Sequence, residues 1–211
     1  MKIWNFTRAL ALALLTLCGG DALAQDPAGQ AGEAAARTDS AAVARRLSSR
    51  NPLERRGAAE ELARGAAVEH RRLVEGYRVQ EREAPVRLAL DWALYRMGRH
   101  ESLFAVVEAL DEKKRAEQAV GYLKQIESPA PLYVFLERVN GQTTIRLLEV
   151  LAHVGDRDTL ERIRPFAASL DPTVAGAAQF AEREITIRLE ETPPVEPKRE
   201  RKVGQATETE P

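Results

Sequence analysis

Between residues 84 and 110, apolar side chains recur at every third or fourth position, in two runs separated by a short polar segment. The first run follows Pro85, which suits a first helical turn because its missing N–H would have no partner there. Gly98 ends this run, as glycine does where a chain leaves a helix with positive φ. The runs consist of Val86, Ala89, Leu90, Ala93, Leu94 and Met97, and then of Leu103, Val106, Val107 and Leu110. This pattern predicts two amphipathic helices that lie antiparallel across a short turn.

The same two-helix pattern returns along the chain at intervals of about 30 residues. A spacing of nine residues between the two helices is shared by three leucine pairs: Leu94 and Leu103, Leu123 and Leu132, and Leu151 and Leu160. A weaker match pairs Leu62 with Leu73, and a last partial unit begins at Asp171-Pro172. One helix pair cannot bury its apolar stripe alone. The period therefore predicts an all-α fold, an α-solenoid of about four to five stacked antiparallel helix pairs.

Several residues of the best-defined unit match the pattern of a known repeat. They are Pro85, Val86, Arg87, Ala89, Ala93, Leu94 and Gly98. With these residues the unit resembles the HEAT repeat, most closely the short HEAT-like repeats of the phycobilisome-lyase type. The resemblance extends over residues 40 to 190 and implies the solenoid fold. It implies no particular activity, because such repeats occur in scaffolds, adaptors and a few enzymes. The unit around Leu123 departs from the pattern, since Ala116 stands in the place of Arg87.

The first 24 residues have the three parts of a secretory signal peptide. Lys2 and Arg8 supply the positive start, residues 9–17 are apolar, and residues 22–24 place small side chains where a signal peptidase cleaves. The apolar run is too short to span a bilayer. We therefore expect an exported protein, periplasmic or secreted, whose mature chain has no transmembrane segment.

A lipoprotein is the alternative interpretation of the leader, and it would be anchored through Cys18. Lipidation requires a small residue before the cysteine, and the bulky Leu17 favours simple cleavage instead. Cys18 is the only cysteine of the chain. After cleavage the protein would therefore contain no disulfide, no thiolate nucleophile and no cysteine metal ligand.

Composition divides the chain into four parts. Residues 1–24 form the signal peptide, 25–38 a flexible linker rich in Ala, Gly and Gln, 39–190 the solenoid, and 191–211 a disordered tail rich in Pro and charge. The tail contains a small basic cluster made of Lys198, Arg199, Arg201 and Lys202. A solubilising role is favoured for this cluster over a weak, salt-sensitive contact with an acidic surface.

The sequence lacks the motifs of common active sites. Its 31 basic and 32 acidic residues nearly balance, so a polyanionic partner such as nucleic acid is not expected. The histidines, His70, His100 and His153, form no metal-binding pair, and there is no P-loop, dinucleotide-binding or nucleophilic-serine motif. We therefore predict no catalytic, cofactor-binding or metal-binding residues and no enzymatic activity.

One helix face is a candidate for binding a protein partner. Its residues lie opposite the apolar stripe of the helix that follows Pro85, and they would line a concave surface if the HEAT resemblance holds. They are Leu88, Trp92, Tyr95 and Arg99. Interfaces concentrate Trp, Tyr and Arg, which favours this stripe as the centre of a partner surface. The competing hypothesis is packing, with the indole of Trp92 folded into the room above Gly121 in the next unit.

The sequence thus predicts a non-enzymatic protein-binding scaffold or adaptor of the cell envelope, which presents the concave face of a helical-repeat solenoid. The alternative is a subunit or regulator of an enzyme whose active site is completed by a partner or a metal. Capture of one specific envelope protein would favour the scaffold, and a stoichiometric bound metal would favour the alternative.

Overall fold

The computed structural model describes residues 39–139 and 141–191. The predicted signal peptide and linker lie outside these ranges, as does the predicted tail apart from Glu191. Every regular element within the described ranges is helical, so the all-α class is confirmed. The helices are α1 (39–45), α2 (Pro52–Arg64), α3 (Arg71–Gln80), α4 (Ala84–Arg96), α5 (Leu103–Glu108), α6 (Ala116–Leu123), α7 (Ala130–Leu136), α8 (Gly141–Val154), α9 (Arg157–Ala167) and α10 (Pro172–Glu191). Short 3-10 turns cover Arg46–Ser48, Val68–His70, His100–Ser102 and Ala109–Asp111.

Side chains of the sequence set several helix ends directly. Asn51 caps α2 by accepting a hydrogen bond from the backbone N–H of Leu53 at 3.0 Å. Asp156 and Thr159 form a capping box at the start of α9. Gly98 has a φ of +90°, which confirms the predicted glycine end after α4.

The helices pack in an alternating order. In the even-numbered series, α2 contacts α4, α4 contacts α6, α6 contacts α8, and α8 contacts α10. The odd-numbered helices pack against this series: α3 and α5 contact α4, α7 contacts α8, and α9 contacts α10. Each even-numbered helix from α4 to α8 therefore contacts two even-numbered neighbours and at least one odd-numbered helix, which for α6 is α5.

The leucines predicted to anchor the repeats lie in the core. Leu62, Leu94, Leu123 and Leu151 are all buried. In the odd-numbered helices Leu103 and Leu132 are buried as well, and Leu160 is half-buried. Leu73 is an exception, because it is 43% exposed and its neighbour Val74 is buried in its place. The inward-facing side chain of α3 is therefore one residue later than the proposed match between Leu62 and Leu73, and that match is wrong by one residue.

An ion pair joins α2 to the end of α3. The guanidinium of Arg55 donates to both carboxylate oxygens of Glu81, at 2.7 and 2.9 Å. It also donates to the backbone carbonyls of Ser49 and Arg50, which lie before α2. The hydrogen bond from Arg55 holds the pKa of Glu81 below its usual range. Both side chains are largely shielded from water, with Arg55 17% and Glu81 7% exposed, so the pair is more than a surface contact.

Replacement of Leu123 by alanine should destabilise the protein by about 2–5 kcal/mol, because the side chain is fully buried between neighbouring helices. Urea unfolding followed by circular dichroism measures this change. Leu170→Ala is the matched control, since Leu170 is fully exposed and its truncation should change stability little. Equal unfolding midpoints for the two variants would contradict the packing described here.

Acidification should weaken the Arg55–Glu81 pair. The pKa of Glu81 is lower in the folded chain than its unfolded value of 4.5, so the stabilisation is present above that value and is lost as the pH falls through the folded pKa. Glu81→Gln should therefore lower the free energy of unfolding by about 1–3 kcal/mol at pH 7 and by less below pH 4.5. Glu137→Gln serves as an exposed control. Wild type and Glu81→Gln differing equally at every pH would show that the charge of Glu81 contributes nothing.

Candidate partner-binding surface

The four residues predicted to form an exposed stripe occupy different environments. Leu88 is fully buried and Trp92 is only 2% exposed. Tyr95 is half-buried, and burial raises the pKa of its hydroxyl. Arg99 is exposed and donates to the carboxylate of Glu75 at 3.0 Å. The expectation of an exposed Leu-Trp-Tyr stripe is therefore wrong, while partner binding at Tyr95 and Arg99 stays a prediction.

Aromatic packing explains why Trp92 is buried. The ring of Tyr122 from α6 stacks on the indole at 5.6 Å between centroids and 3° between planes. Tyr95 lies against the indole as well, at 5.5 Å, and the guanidinium of Arg96 lies 5.9 Å from the ring centre. Gly121 has no part in this contact, because it is exposed and open space surrounds the position of a Cβ there. The packing hypothesis is thus confirmed for Trp92, but Tyr122 and not Gly121 is its partner.

A hydrogen bond fixes Tyr122 over the indole. Its hydroxyl donates to the carboxylate of Glu60 on α2 at 2.7 Å, and Gln118 donates to the same hydroxyl at 2.6 Å. The amide of Gln118 also donates to the carbonyl of Pro85 at the start of α4. Burial, together with the bond to Glu60, raises the pKa of Tyr122. The hydroxyl therefore keeps its proton near neutral pH and bridges α6 to α2 across the face of α4.

Exposed apolar side chains lie on a different face, where α5 and α7 begin. Phe104 is 45% exposed and Val134 is 46% exposed. Phe104 meets Phe135 edge to face, with 4.8 Å between the ring centroids. A depression of about 380 Å³ opens beside this pair. Its apolar lining, which we name the Phe104 groove, consists of Tyr95, Leu103, Phe104, Pro131, Val134 and Phe135.

Two further depressions border Phe104, and both are lined with charged residues. One measures about 470 Å³ and is lined in part by Glu108, Asp111, Glu112 and Arg138. The other measures about 380 Å³, and its charged residues are Glu75, Arg78, Asp91, Arg99, Glu101 and Glu108. Together they contain six different carboxylates against three arginines. The surroundings of the groove are therefore negative in balance.

Some of these charges already compensate one another. Arg78 donates to Asp91 at 2.8 Å, and Arg99 pairs with Glu75. Glu112 is bound by Arg115, which holds the pKa of that carboxyl below its usual range. The carboxylates of Glu101 and Glu108 form no ion pair with any residue in the ranges 39–139 and 141–191. These two carboxylates next to Phe104 can therefore accept hydrogen bonds from an incoming cation.

Sequence reasoning found one residue of this groove and missed its centre. Tyr95 is among the predicted binding residues and lines the groove, whereas the predicted stripe does not include Phe104 or Val134. A signal for Phe104 was present, since it falls outside the apolar stripe of its own helix. A large aromatic residue off the stripe of an amphipathic helix indicates either a second packing contact or an exposed apolar surface.

No group of three or more His, Cys, Asp or Glu side chains in residues 39–139 and 141–191 is arranged to hold a metal ion. No described helix is both long enough and apolar enough to cross a membrane. His100 lies against Tyr95 at 6.2 Å, and His70 is within 3.1 Å of the hydroxyl of Ser40. Among the described residues, the Phe104 groove is thus the best-supported candidate site.

The fluorescence of Trp92 tests the aromatic stack. With Trp4 replaced by phenylalanine, Trp92 is the only tryptophan of the chain. Its emission should be shifted to short wavelength and resist quenching by iodide, because the indole is buried under Tyr122. Tyr122→Ala should shift the emission to longer wavelength, and Tyr133→Ala, which changes a tyrosine distant from the indole, should leave it unchanged. If iodide readily quenched the emission of Trp92 in the chain with Tyr122 intact, the indole would be exposed and the stack would be absent.

No family model matches this chain, and no curated protein and no solved structure matches it either. The resemblance to HEAT repeats therefore rests on residues such as Pro85, Val86, Arg87 and Gly98 and stays a prediction.

Proposed function

We propose that this protein is a non-enzymatic scaffold or adaptor that binds a protein partner, built as an α-solenoid of stacked HEAT-like helix pairs. The alternating contacts of the even- and odd-numbered helices support this arrangement. So does the burial of leucines at a spacing of about 30 residues, at Leu62, Leu94, Leu123 and Leu151.

The observation that carries the binding role is the Phe104 groove. Two large apolar side chains, Phe104 and Val134, are each nearly half exposed and stand beside a depression of about 380 Å³. An apolar recess with a polar rim is typical of a protein–protein interaction site. Aromatic side chains that fill or line such recesses contribute much of the binding energy in measured interfaces. The partner is expected to insert an apolar side chain beside Phe104 and Phe135.

The leader supports action in the cell envelope. Residues 1–24 have the positive start, apolar run and small-residue end of a signal peptide, which supports export and a partner in the cell envelope. Anchoring at Cys18 as a lipoprotein is the alternative and would keep the protein in the same compartment. Mass spectrometry of the chain from its native host decides between a start at Gln25 and a lipidated start at Cys18.

Capture of an envelope protein tests the proposed function. Immobilised wild-type chain should retain one specific protein from an envelope extract, and Phe104→Ser should reduce the retained amount at least tenfold. Phe180→Ser is a matched control, because Phe180 is 44% exposed but lies on α10, outside the groove. Val134→Ser is a second groove variant in case loss of the contact with Phe135 disturbs folding after the first change.

Equal retention by wild type and both groove variants would overturn the assignment of the groove as the binding surface. Circular dichroism and the urea midpoint of each variant establish that it is folded before its retention is compared. Loss of retention with Phe180→Ser as well would show that the interaction is not confined to the groove.

A further inference from the structure

We propose that the Phe104 groove is also the docking site of a segment of this same chain, Pro193–Val203, which competes there with the protein partner. The inference rests on the proposed function, since it adds a regulation to the same site. Three observations carry it: the sequence of the segment, the charge around the groove, and the side of the helix stack on which α10 ends.

The sequence of the segment combines prolines with positive charge. Pro194 and Pro197 are three residues apart, with Val195 between them. The segment has four basic residues, Lys198, Arg199, Arg201 and Lys202, against two acidic ones, Glu196 and Glu200, and so carries a net positive charge. A Pro-x-x-Pro sequence favours the polyproline II conformation, in which residues three apart lie on one side. Grooves lined by aromatic residues bind such segments at low entropic cost.

The groove offers the complementary chemistry. Its lining contains the rings of Tyr95, Phe104 and Phe135, against which proline rings can pack. Glu101 belongs to the wall of this depression, and Glu108 belongs to both of the charged depressions that border Phe104. Lys and Arg side chains that follow the prolines would meet these carboxylates, and charge-assisted hydrogen bonds of this kind are about twice as strong as neutral ones.

The segment leaves α10 on the side of the stack where the groove opens. Arg188, near the end of α10, donates to the carbonyls of Ala152 and Gly155 at the end of α8. Arg96, at the end of α4, donates to the carbonyl of Gln125 just after α6. The ends of α8 and α10 thus lie together, and so do those of α4 and α6.

Contacts between the beginnings of α6 and α8 show that these two helices run in the same direction. Arg146 and Thr143, in the first half of α8, donate to the carbonyl of Leu110 and the carboxylate of Asp111, which precede α6. The first half of α8 therefore lies near the beginning of α6, and all four even-numbered helices end on one side. The groove is formed where α5 and α7 begin, and short connections join these starts to the ends of α4 and α6, so the groove lies on that side as well.

The segment is long enough to reach the groove. Packed helices lie about 8–10 Å apart, so two steps from α10 through α8 to α7, which lines the groove, span roughly 20 Å. An extended chain advances about 3.3 Å per residue, so six residues from Thr192 to Pro197 cover about 20 Å and twelve residues to Val203 about 40 Å. A short tether also gives a local concentration of about 1 mM. A segment with a Kd of about 100 μM would then fill the groove for roughly nine-tenths of the time.

Binding of a labelled peptide tests this proposal. The probe is a fluorescent synthetic peptide with the sequence of residues 192–203, titrated by anisotropy into the full chain. It should bind about tenfold more tightly to the chain carrying K198E, R199E, R201E and K202E, because that chain no longer occupies its own groove. In this background, Phe104→Ser and Val134→Ser should abolish binding, Phe180→Ser should preserve it, and added salt should weaken it.

Each other outcome overturns the proposal. Equal affinity for wild type and the charge-reversed chain would show that the groove is free in the intact protein. If Phe104→Ser and Val134→Ser left the peptide affinity unchanged, the peptide would bind outside the groove. If dilution of the wild-type chain made its affinity for the peptide equal to that of the charge-reversed chain, the segment in the groove would come from a second copy. Absence of peptide binding would exclude this occupant and leave the proposed function standing, because retention of the envelope protein depends on Phe104 independently of residues 192–203.

Discussion

The stacking of Tyr122 on Trp92, held in place by the hydrogen bond from Tyr122 to Glu60, determines which surfaces of this protein are available. Without it, the face of α4 that carries Leu88 and Trp92 would be in contact with water, and large apolar side chains each gain about 1.5–3 kcal/mol from burial. With it, α6 reaches across α4 to α2 and the face is closed. A partner could gain access to Trp92 only by breaking both the stack and the hydrogen bond.

The surface that remains open follows from the shortness of the odd-numbered helices. α5 has six residues and α7 has seven, so each covers little more than the stripe that it buries. Leu103 and Val107 of α5 face the core, and Phe104 between them projects away from it. The ring of Phe104 packs edge to face against the buried Phe135 of α7 and is still 45% exposed, so part of it is open to another molecule or segment. The Phe104 groove is therefore a consequence of packing short helices side by side.

Period and capping chemistry predicted the parts of the fold that depend on local sequence. The leucine anchors are buried, α4 begins at Ala84 beside Pro85, and Gly98 adopts the positive φ expected of it. These features depend on spacings within one helix or on one residue at its end. The apolar stripe of α4 was predicted correctly for the same reason.

The surface could not be predicted in the same way, because it depends on which side chains other helices bring to it. The spacing placed Gly121 opposite Trp92, whereas a shift of one residue puts the ring of Tyr122 there and turns an exposed stripe into core. The anchoring carboxylate of Glu60 lies 62 residues from Tyr122, a distance that no local pattern can relate. A shift of one residue likewise makes Val74, and not Leu73, the buried side chain of α3.

A double-mutant cycle between Glu60 and Tyr122 tests the closure of α4 most directly. The free energies of unfolding of wild type, Glu60→Ala, Tyr122→Phe and the double variant are compared in urea at pH 7. The structure predicts a coupling energy of at least about 0.5 kcal/mol, since the two side chains share a hydrogen bond at 2.7 Å. Additivity of the two single changes within about 0.3 kcal/mol would mean that the bond is absent in solution. The face of α4 would then not be closed, and it would again be the first candidate for the binding surface.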